Sequence, residues 1–549
     1  MSRPWQVLSG PWAGGGVAER IRRVRGLDPA AECLHDPFLM KDMERAVERL
    51  RRALRDGERI LVFGDYDADG VTSSALLAQG LRAMGGKVSV RLPHRLEEGY
   101  GLQPAQMRQI LAGPTDLLIT ADNGTSAAGA LALAADDGLD VIVVDHHSPT
   151  EERPPAFALL NPHQVDCPYP CKHLAAVGVA FKLLQALDWP DLDQVLDLAA
   201  LGTVADVARL TGENRHLVIR GLERINSRPR PGLAALLELP DVRAPEGVDA
   251  RALGWQLGPR INGAGRLDRA EWALELLLAA SLDEARPLAR RLDSLNQERR
   301  RLQDEALAPV EKSLKGQREL PALLAFTGAR WHLGVIGLVA GKLSQRWERP
   351  SLVLTRVLAD GRVKGSARSV PGLDITAAIT RHSSFLEEFG GHAEAAGLTV
   401  REEQLPAFLD ALQEDVEALF AQLPAQPLKV DSAVDPAELG LPLVAALASL
   451  EPCGAGNPRP RLGLFGVEVE RVFRMSAGKH LKLWLQAGGQ RLEAVWWGHG
   501  DEEALVAYGS RLDAAFELGV NSWNGRTELQ LLLEDLRPAE SLAPGAVHV

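Results

Sequence analysis

The sequence predicts an α/β multidomain protein: a doubly wound parallel sheet, a long linking helix, a smaller second α/β unit and a C-terminal β-barrel. Three observations predict it. Between about residues 55 and 205, short apolar runs (Ile60-Leu-Val-Phe63, Leu117-Leu-Ile-Thr120, Val141-Ile-Val-Val144) alternate with helical stretches, as buried parallel strands do. From Asp283 to about Lys315 the chain is highly charged, with leucines at 288, 292, 295 and 302 on one helical stripe, the pattern of a long exposed helix joining two domains. After Pro458 the pattern turns to alternation: Phe465/Val467/Val469, Leu481/Leu483/Leu485, Leu492/Ala494/Trp496. With glycine turns this reads as a small barrel or sandwich.

In chain order, the N-terminus Met1-Ser-Arg-Pro-Trp5 lacks the apolar stretch of a signal peptide, and no 18-residue apolar run exists, so a soluble cytoplasmic protein is expected. At 549 residues the chain exceeds one core. Helical periodicity covers Val195–Leu201 and Arg269–Ala280. Leu323-Leu-Ala-Phe326 and Ser351-Leu-Val-Leu354 are strand-like, and Gly390 to Gly397 reads as a glycine-framed loop. Pro424 to Pro427 marks a linker, and Leu529–Leu533 is the last strand pattern. Four scattered cysteines do not make a disulfide framework. Cys167, Cys171 and His173 lack an evident fourth ligand, so zinc is not expected there. The net charge of −12 argues against indiscriminate nucleic-acid binding. Clustered carboxylates weaken that argument, because metal would neutralise them.

The chemistry sits at the strand ends. Asp65, Asp67 and Asp69 follow the first apolar run, Asp122 the second, and Asp145-His146-His147 the third. Ligands bind open α/β sheets at the carboxyl ends of strands, so these groups would pool. Carboxylate and imidazole suit Mn²⁺ or Mg²⁺. Asp67 and Asp69 can serve different ions, Asp122 is the natural bridge, and His146 is a terminal ligand. Asp145 can orient an imidazole, and Asp206 adds a carboxylate after an apolar helical turn. Helix capping explains one or two such residues, not a pooled set. A calcium loop is excluded, because the position that needs glutamate is Leu76.

Asp65-Tyr-Asp-Ala-Asp-Gly70, Ala121-Asp-Asn-Gly124, Asp145-His-His147 and Gly202-Thr-Val-Ala-Asp206 together resemble the motifs of the DHH phosphoesterase superfamily. Gly390-Gly-His-Ala-Glu-Ala-Ala-Gly397 resembles the signature of its DHHA1 domain. Within the superfamily the chain is most similar to the RecJ exonucleases. Gly99-Tyr-Gly-Leu102, Trp331 to Gly337, Gly365 to Ser369 and Glu451 to Pro458 add to the likeness. The resemblance implies an N-terminal segment (1–45) packed on the core, a DHH catalytic domain (46–282) and a connecting helix (283–318). A DHHA1 domain (319–425), an OB-like nucleic-acid-binding domain (426–540) and a tail (541–549) follow.

Carried over residue by residue, the resemblance makes Asp67, Asp69, Asp122, His146 and Asp206 ligands of two Mn²⁺ or Mg²⁺ ions. It sets His147 against the scissile phosphate or a metal-bound water. Asp65 either replaces a histidine ligand that some members carry, where Phe63 and Gly64 stand here, or acts from behind the ligands. Arg266, behind a glycine loop, with Ser366 and Arg368, would hold a terminal 5′-phosphate or the nearby backbone, a surface salt bridge being the alternative for Arg266. Gly391 and His392 would lie beside substrate phosphates. His94, Arg95 and Tyr100 are further candidate nucleotide contacts, with structural roles equally open. Phe473, Trp484, Trp496, Trp497 and Trp523, interleaved with bases, suit single-stranded DNA or a barrel core. The implied activity is 5′-to-3′ hydrolysis of single-stranded DNA to 5′-mononucleotides in repair and recombination. Implied partners are single-strand-binding protein and a helicase, with a monomeric enzyme and no membrane. The alternatives are a phosphodiesterase on short oligonucleotides or cyclic dinucleotides and a non-catalytic DNA-binding scaffold.

Overall fold

The computed structural model describes residues 4–27, 32–99, 101–149, 152–245, 247–317, 319–357, 361–476, 478–523 and 526–539. The chain forms two compact units, a larger one (36–206 and 220–424) and a smaller one (1–35, 207–219 and 425–549). Strand β1 (Trp5–Val7) and helix α1 (Val17–Arg25) belong to the smaller unit. The expected N-terminal segment therefore divides at His35, and only its later part joins the larger unit.

The larger unit begins with α2 (Met43–Asp56), which buries Met43, Ala46, Val47, Leu50 and Ala53 along one helical face. A five-stranded parallel sheet follows, in the order β3-β2-β4-β5-β6. Its strands are β2 (Arg59–Gly64), β3 (Lys87–Arg91), β4 (Leu117–Ala121), β5 (Val141–Val144) and β6 (Ala158–Leu160). Helices α3 (Ala68–Ala83), α4 (Pro104–Leu111) and α5 (Ala128–Asp137) connect them. Strands β4 and β5 are buried at every position, which is why they read as unbroken apolar runs. Strand order reverses at β2, between β3 and β4, so a crevice opens at the carboxyl ends of β2 and β4.

Next come α6 (Ala176–Ala186), α7 (Leu196–Ala205), α8 (Gly212–Ser227), α9 (Pro231–Leu237) and the short α10 (Ala250–Ala252). A π turn then leads into α11 (Gly258–Leu267), followed by α12 (Glu271–Leu278). The predicted glycine loop around Arg266 is therefore a helix. Gly265 explains the misreading: a Cβ there would lie 2.3 Å from the Tyr66 carbonyl oxygen, so glycine serves close packing rather than a turn. The linking helix α13 (Leu282–Leu314) is capped by the Ser281 hydroxyl, which accepts from Glu284 N–H. It is not exposed on all sides. Ala285, Ala289, Leu292, Asn296, Gln303, Ala306 and Val310 form its buried stripe, and of the leucines read as that stripe only Leu292 is fully buried.

A second sheet follows in the order β10-β11-β9-β8-β7. Its elements are β7 (Leu324–Gly328), α14 (Leu333–Trp347), β8 (Ser351–Val357), β9 (Arg362–Arg368), α15 (Ile375–Arg381), β10 (Leu386–His392), β11 (Ala395–Arg401) and α16 (Leu405–Phe420). The expected loop from Gly390 to Gly397 is the β10–β11 hairpin, with Gly390 opposite Gly397 and His392 opposite Ala395. Gly391, at φ +151°, is required there, since a Cβ would meet the Ala395 carbonyl oxygen at 2.2 Å.

In the smaller unit β1 pairs in parallel with β12 (Leu428–Val430). After β13 (Ser432–Ala433) and α17 (Leu441–Ala448), five strands close a barrel: β14 (Arg461–Met475), β15 (His480–Ala487), β16 (Gln490–Trp496), β17 (Arg511–Trp523) and β18 (Arg526–Pro538). Closure comes from β17 pairing with both β18 and β14, which leaves no long free edge. Buried Arg20 on α1 donates to both Glu438 carboxylate oxygens (2.9 and 3.1 Å) and to the Ser432 hydroxyl (3.1 Å). Trp496 is core, 3% exposed, whereas Phe473 and Trp497 are 44% and 56% exposed, and Trp484 is half-buried under Arg491. The side chain of Trp523 lies outside the described residues, as does Tyr100. Among the described residues no helix is long and apolar enough to cross a membrane.

Candidate metal centre

The turn after β2 is held from three sides. Asp65 N–H donates to Ala121 O (3.1 Å), joining the ends of β2 and β4. Asp67 caps α3, its Oδ1 accepting from Asp69 and Gly70 N–H at 3.1 Å each. The capping role weighed from sequence is thus real, and it leaves the second Asp67 oxygen outside the cap. From α11, Asn262 Oδ1 accepts from Ala68 N–H at 2.8 Å. Asp69 accepts from the N-terminal amides of α6, Ala176 (2.7 Å) and Val177 (2.9 Å), so its carboxylate is fixed before any ion arrives.

Asp122 follows β4 with φ +65°, a left-handed conformation that a non-glycine residue adopts only when its surroundings impose it. Here Asp122 N–H is tied to Val144 O, and Thr120 Oγ1 donates to Asn123 O. Asn123 Nδ2 donates to the Phe63 and Ala121 carbonyls, so the asparagine laces β2 to β4. After β5, Asp145 is saturated. Its Oδ1 meets His146 N–H (2.7 Å), His147 N–H (3.2 Å) and His147 Nδ1 (2.7 Å), and its Oδ2 accepts from Thr125 N–H (2.9 Å). Asp145 therefore orients His147. Burial alone would raise its carboxyl, but the His147 hydrogen bond and the two imidazoles hold it below the usual range.

The groups converge. His146 Nε2 lies 3.2 Å from Asp122 Oδ1 and 3.8 Å from both Asp69 Oδ2 and Asp206 Oδ2. Three sets of potential ligands share this space: Asp65, Asp67 and Asp122; Asp69, His146 and Asp206; Asp122, His146 and His147. Asp122 and His146 each belong to two of them. Asp206 arrives as the C-cap of α7. Burial first, then neighbouring carboxylates, raise Asp65, Asp122 and Asp206 well above the ordinary range, and raise Asp69 to about 7. Burial lowers His146 to about 4, and against burial Asp145 raises His147 to about 9.

Whether divalent ions fit is tested by the unpaired atoms. Asp65 Oδ2, Asp122 Oδ1 and His146 Nε2 are all buried without a hydrogen-bond partner, an arrangement that costs about 1–3 kcal/mol per group when nothing occupies the site. Oxygen-rich ligands with imidazole match Mn²⁺ and Mg²⁺.

The second sheet completes one wall. His392 stacks on His147, ring centroids 6.1 Å apart and planes 23° apart. A Cβ on Gly334 would lie 2.1 Å from Arg266 O, so the first turn of α14 abuts α11. A Cβ on Gly337 would reach Ser366 Oγ at 3.0 Å and Arg368 Nη2 at 3.1 Å, so the same helix end abuts β9. Arg266 donates to Gly334 O, and Arg368 to Ser366 Oγ (3.1 Å). Neither forms an ion pair among the described residues. Burial, with repulsion from Arg95, Arg299 and Arg368, lowers Arg266 below its ordinary value. Arg95 lies 4.7 Å over the Tyr66 ring.

Sequence reasoning missed Asn161, His163 and Arg299. Asn161 Nδ2 donates to His147 O (2.8 Å), and His163 Nδ1 pairs with His146 O (2.6 Å), clamping the Asp-His-His turn. Asn161-Pro162-His163 directly after β6 was the available signal. Arg299 is held by Asn296 and Gln303, and only the buried stripe of α13 could have pointed to it.

Residues 59–203 match the DHH family, N-terminal domain, residues 320–418 the DHHA1 domain and residues 430–535 the RecJ OB domain. A single-stranded-DNA-specific exonuclease RecJ from Salmonella typhimurium is 37% identical, over 94% of each chain. The protein of that name from Bacillus subtilis is 36% identical over 92% of this chain, which spans 64% of that relative's length. The crystal structure of RecJ in complex with Mn²⁺ from Thermus thermophilus superposes with a TM-score of 0.82 at 33% identity, covering 99% of this chain and 81% of that one.

Proposed function

The chain belongs to the RecJ family, and we propose that it is a metal-dependent exonuclease that degrades single-stranded DNA from the 5′ end to 5′-mononucleotides. The observation that carries this reading is the trio of buried, unpartnered atoms on Asp65, Asp122 and His146 inside one carboxylate cluster. When bound, two Mn²⁺ or Mg²⁺ ions supply the charge that acidifies the attacking water and balances the developing phosphoryl charge. Asp67, Asp69, Asp122, His146 and Asp206 would hold them, Asp122 being the shared carboxylate. The unpartnered Oδ2 of Asp65 supports a direct ligand role for it as well. Asp145 fixes the His147 ring and its Nδ1 proton, and His147 with the stacked His392 addresses the scissile phosphate. Ser366, Arg266 and Arg368, gathered around the first turn of α14, receive the terminal 5′-phosphate. Gly391 keeps the hairpin backbone close beside that path.

In the cell this activity serves repair and recombination in the cytoplasm. The enzyme works as a monomer on strands delivered by a helicase and coated by single-strand-binding protein. Incubation with Mn²⁺ and 5′- or 3′-labelled single strands tests the reading: labelled mononucleotide should appear first from the 5′ label, and duplex should resist. Release first from the 3′ label, or no cleavage, overturns it. Asp122→Ala should abolish cleavage, and a rate above about a tenth of native would exclude the bridging role.

A further inference from the structure

Between α10 and α11 the backbone widens into a π turn, Leu253–Leu257. Such turns are rare and frequent at functional sites. This one buries Leu253 and Leu257 and leaves Trp255 71% exposed. Two glycines seat it on the last turn of α7: a Cβ on Gly254 would lie 3.4 Å from Val204, and one on Gly258 3.0 Å from Ala205. The residue after Ala205 is Asp206, so the π turn that carries Trp255 packs on the helix end that delivers a carboxylate to the metal centre.

Next to Trp255, Gln256 pins a loop. Its Oε1 accepts from Arg243 N–H (2.6 Å), and its Nε2 donates to Arg243 O (3.0 Å). With both backbone groups engaged, the exposed Arg243 is carried beside the π turn, and it forms no ion pair among the described residues. Of the nearby carboxylates, Asp249 is committed to capping Ala252 N–H (2.7 Å), and Asp241 is exposed. An exposed indole on the π turn and an unpaired guanidinium on the loop tied to it match the two faces of an unpaired nucleotide. One takes the base and the other the phosphate. A duplex offers no such face, because its bases are already stacked.

We propose that Trp255 and Arg243 form a stacking site for one nucleotide of single-stranded DNA beside the catalytic cluster. The site rests on the strand-degrading reading above. Trp255→Ala should raise KM for a long deoxythymidine strand by about tenfold while leaving kcat within about twofold, and Trp255→Phe should restore it. Arg243→Gln should raise KM in the same direction. A single abasic position in the strand should weaken the native enzyme as much as Trp255→Ala does, and should add nothing in that variant. An unchanged KM in Trp255→Ala, or an equal abasic penalty in both proteins, overturns the site. If the native protein cleaves no strand with Mn²⁺, the exonuclease reading fails. Strand affinity then decides the site alone: about tenfold weaker binding by Trp255→Ala supports it, and equal binding overturns it.

Discussion

At the residue scale the centre is a set of carboxylates buried so close together that a bound cation or a proton must relieve their repulsion. Burial and mutual repulsion raise Asp69 to about 7 and push Asp65, Asp122 and Asp206 well up. The sign follows from linkage. A carboxyl raised by folding keeps its proton longer in the folded state. Its stabilising contribution is complete below the unfolded value of about 4 and disappears as pH climbs through the folded value. Protein stripped with chelator should therefore lose Tm between about pH 4 and pH 8, and the Tm gained on adding Mn²⁺ should widen across the same window. Thermal melts with and without Mn²⁺ measure both. A gain that stays flat with pH would mean that the ions bind elsewhere. Most of these residues were legible in the sequence because they follow short apolar strand runs, and Asp206 because it closes an apolar helical turn. Asp145 was legible as the group that orients an imidazole, whereas Asn161 and His163, after β6, act on the backbone carbonyls of His147 and His146, and spacing alone does not show those bonds.

The elements that were misread are those in which glycine carries packing instead of flexibility. Local rules count Gly263 and Gly265 against a helix, yet α11 holds both, one beside α13 with room to spare and one pressed against the Asp65–Gly70 turn, where only glycine fits. The two glycines make a matched pair for experiment. A Cβ at 263 meets Asn296 at 3.5 Å, an ordinary contact, so Gly263→Ala should be neutral or gain about 0.5–1 kcal/mol from helix propensity. A Cβ at 265 meets the Tyr66 carbonyl oxygen at 2.3 Å. Gly265→Ala should cost about 1–3 kcal/mol and displace the turn that carries Asp65, Asp67 and Asp69. Denaturation midpoints and kcat should then separate the pair. Equal stability of the two variants would mean that α11 does not approach the turn so closely. The hairpin of β10 and β11 followed the same course: its glycines signal a loop by local rules, whereas Gly391 sits opposite Ala396 in a paired strand.

Over the whole molecule, a chain of net charge −12 must present a polyanion with local surfaces that overcome its own field. Part of the negative charge lies in the aspartates of the metal centre, where bound cations would offset it. The smaller unit carries exposed aromatic side chains, an uncharged surface on which unpaired bases could stack. Its barrel was legible from alternation, but alternation assigns a residue to a face without saying which face is inside. The structure separates the tryptophans. Trp496 is 3% exposed and stacks on His499 with centroids 4.2 Å apart, whereas Trp497, the next residue, is 56% exposed and meets His480 edge-on at 4.9 Å. Phe473, cross-strand from Lys482, is likewise in solvent. Base stacking on such aromatics contributes about 1–3 kcal/mol per base. Trp497→Ala and Phe473→Ala should each weaken binding of a long single strand by about five- to a hundredfold and leave the melting curve unchanged. Trp496→Ala should instead cost about 3–5 kcal/mol of barrel stability, through the cavity it leaves. Strand titrations paired with melts distinguish the two classes. If Trp497→Ala melts early and binds normally, its indole belongs to the core and the barrel holds DNA by another face.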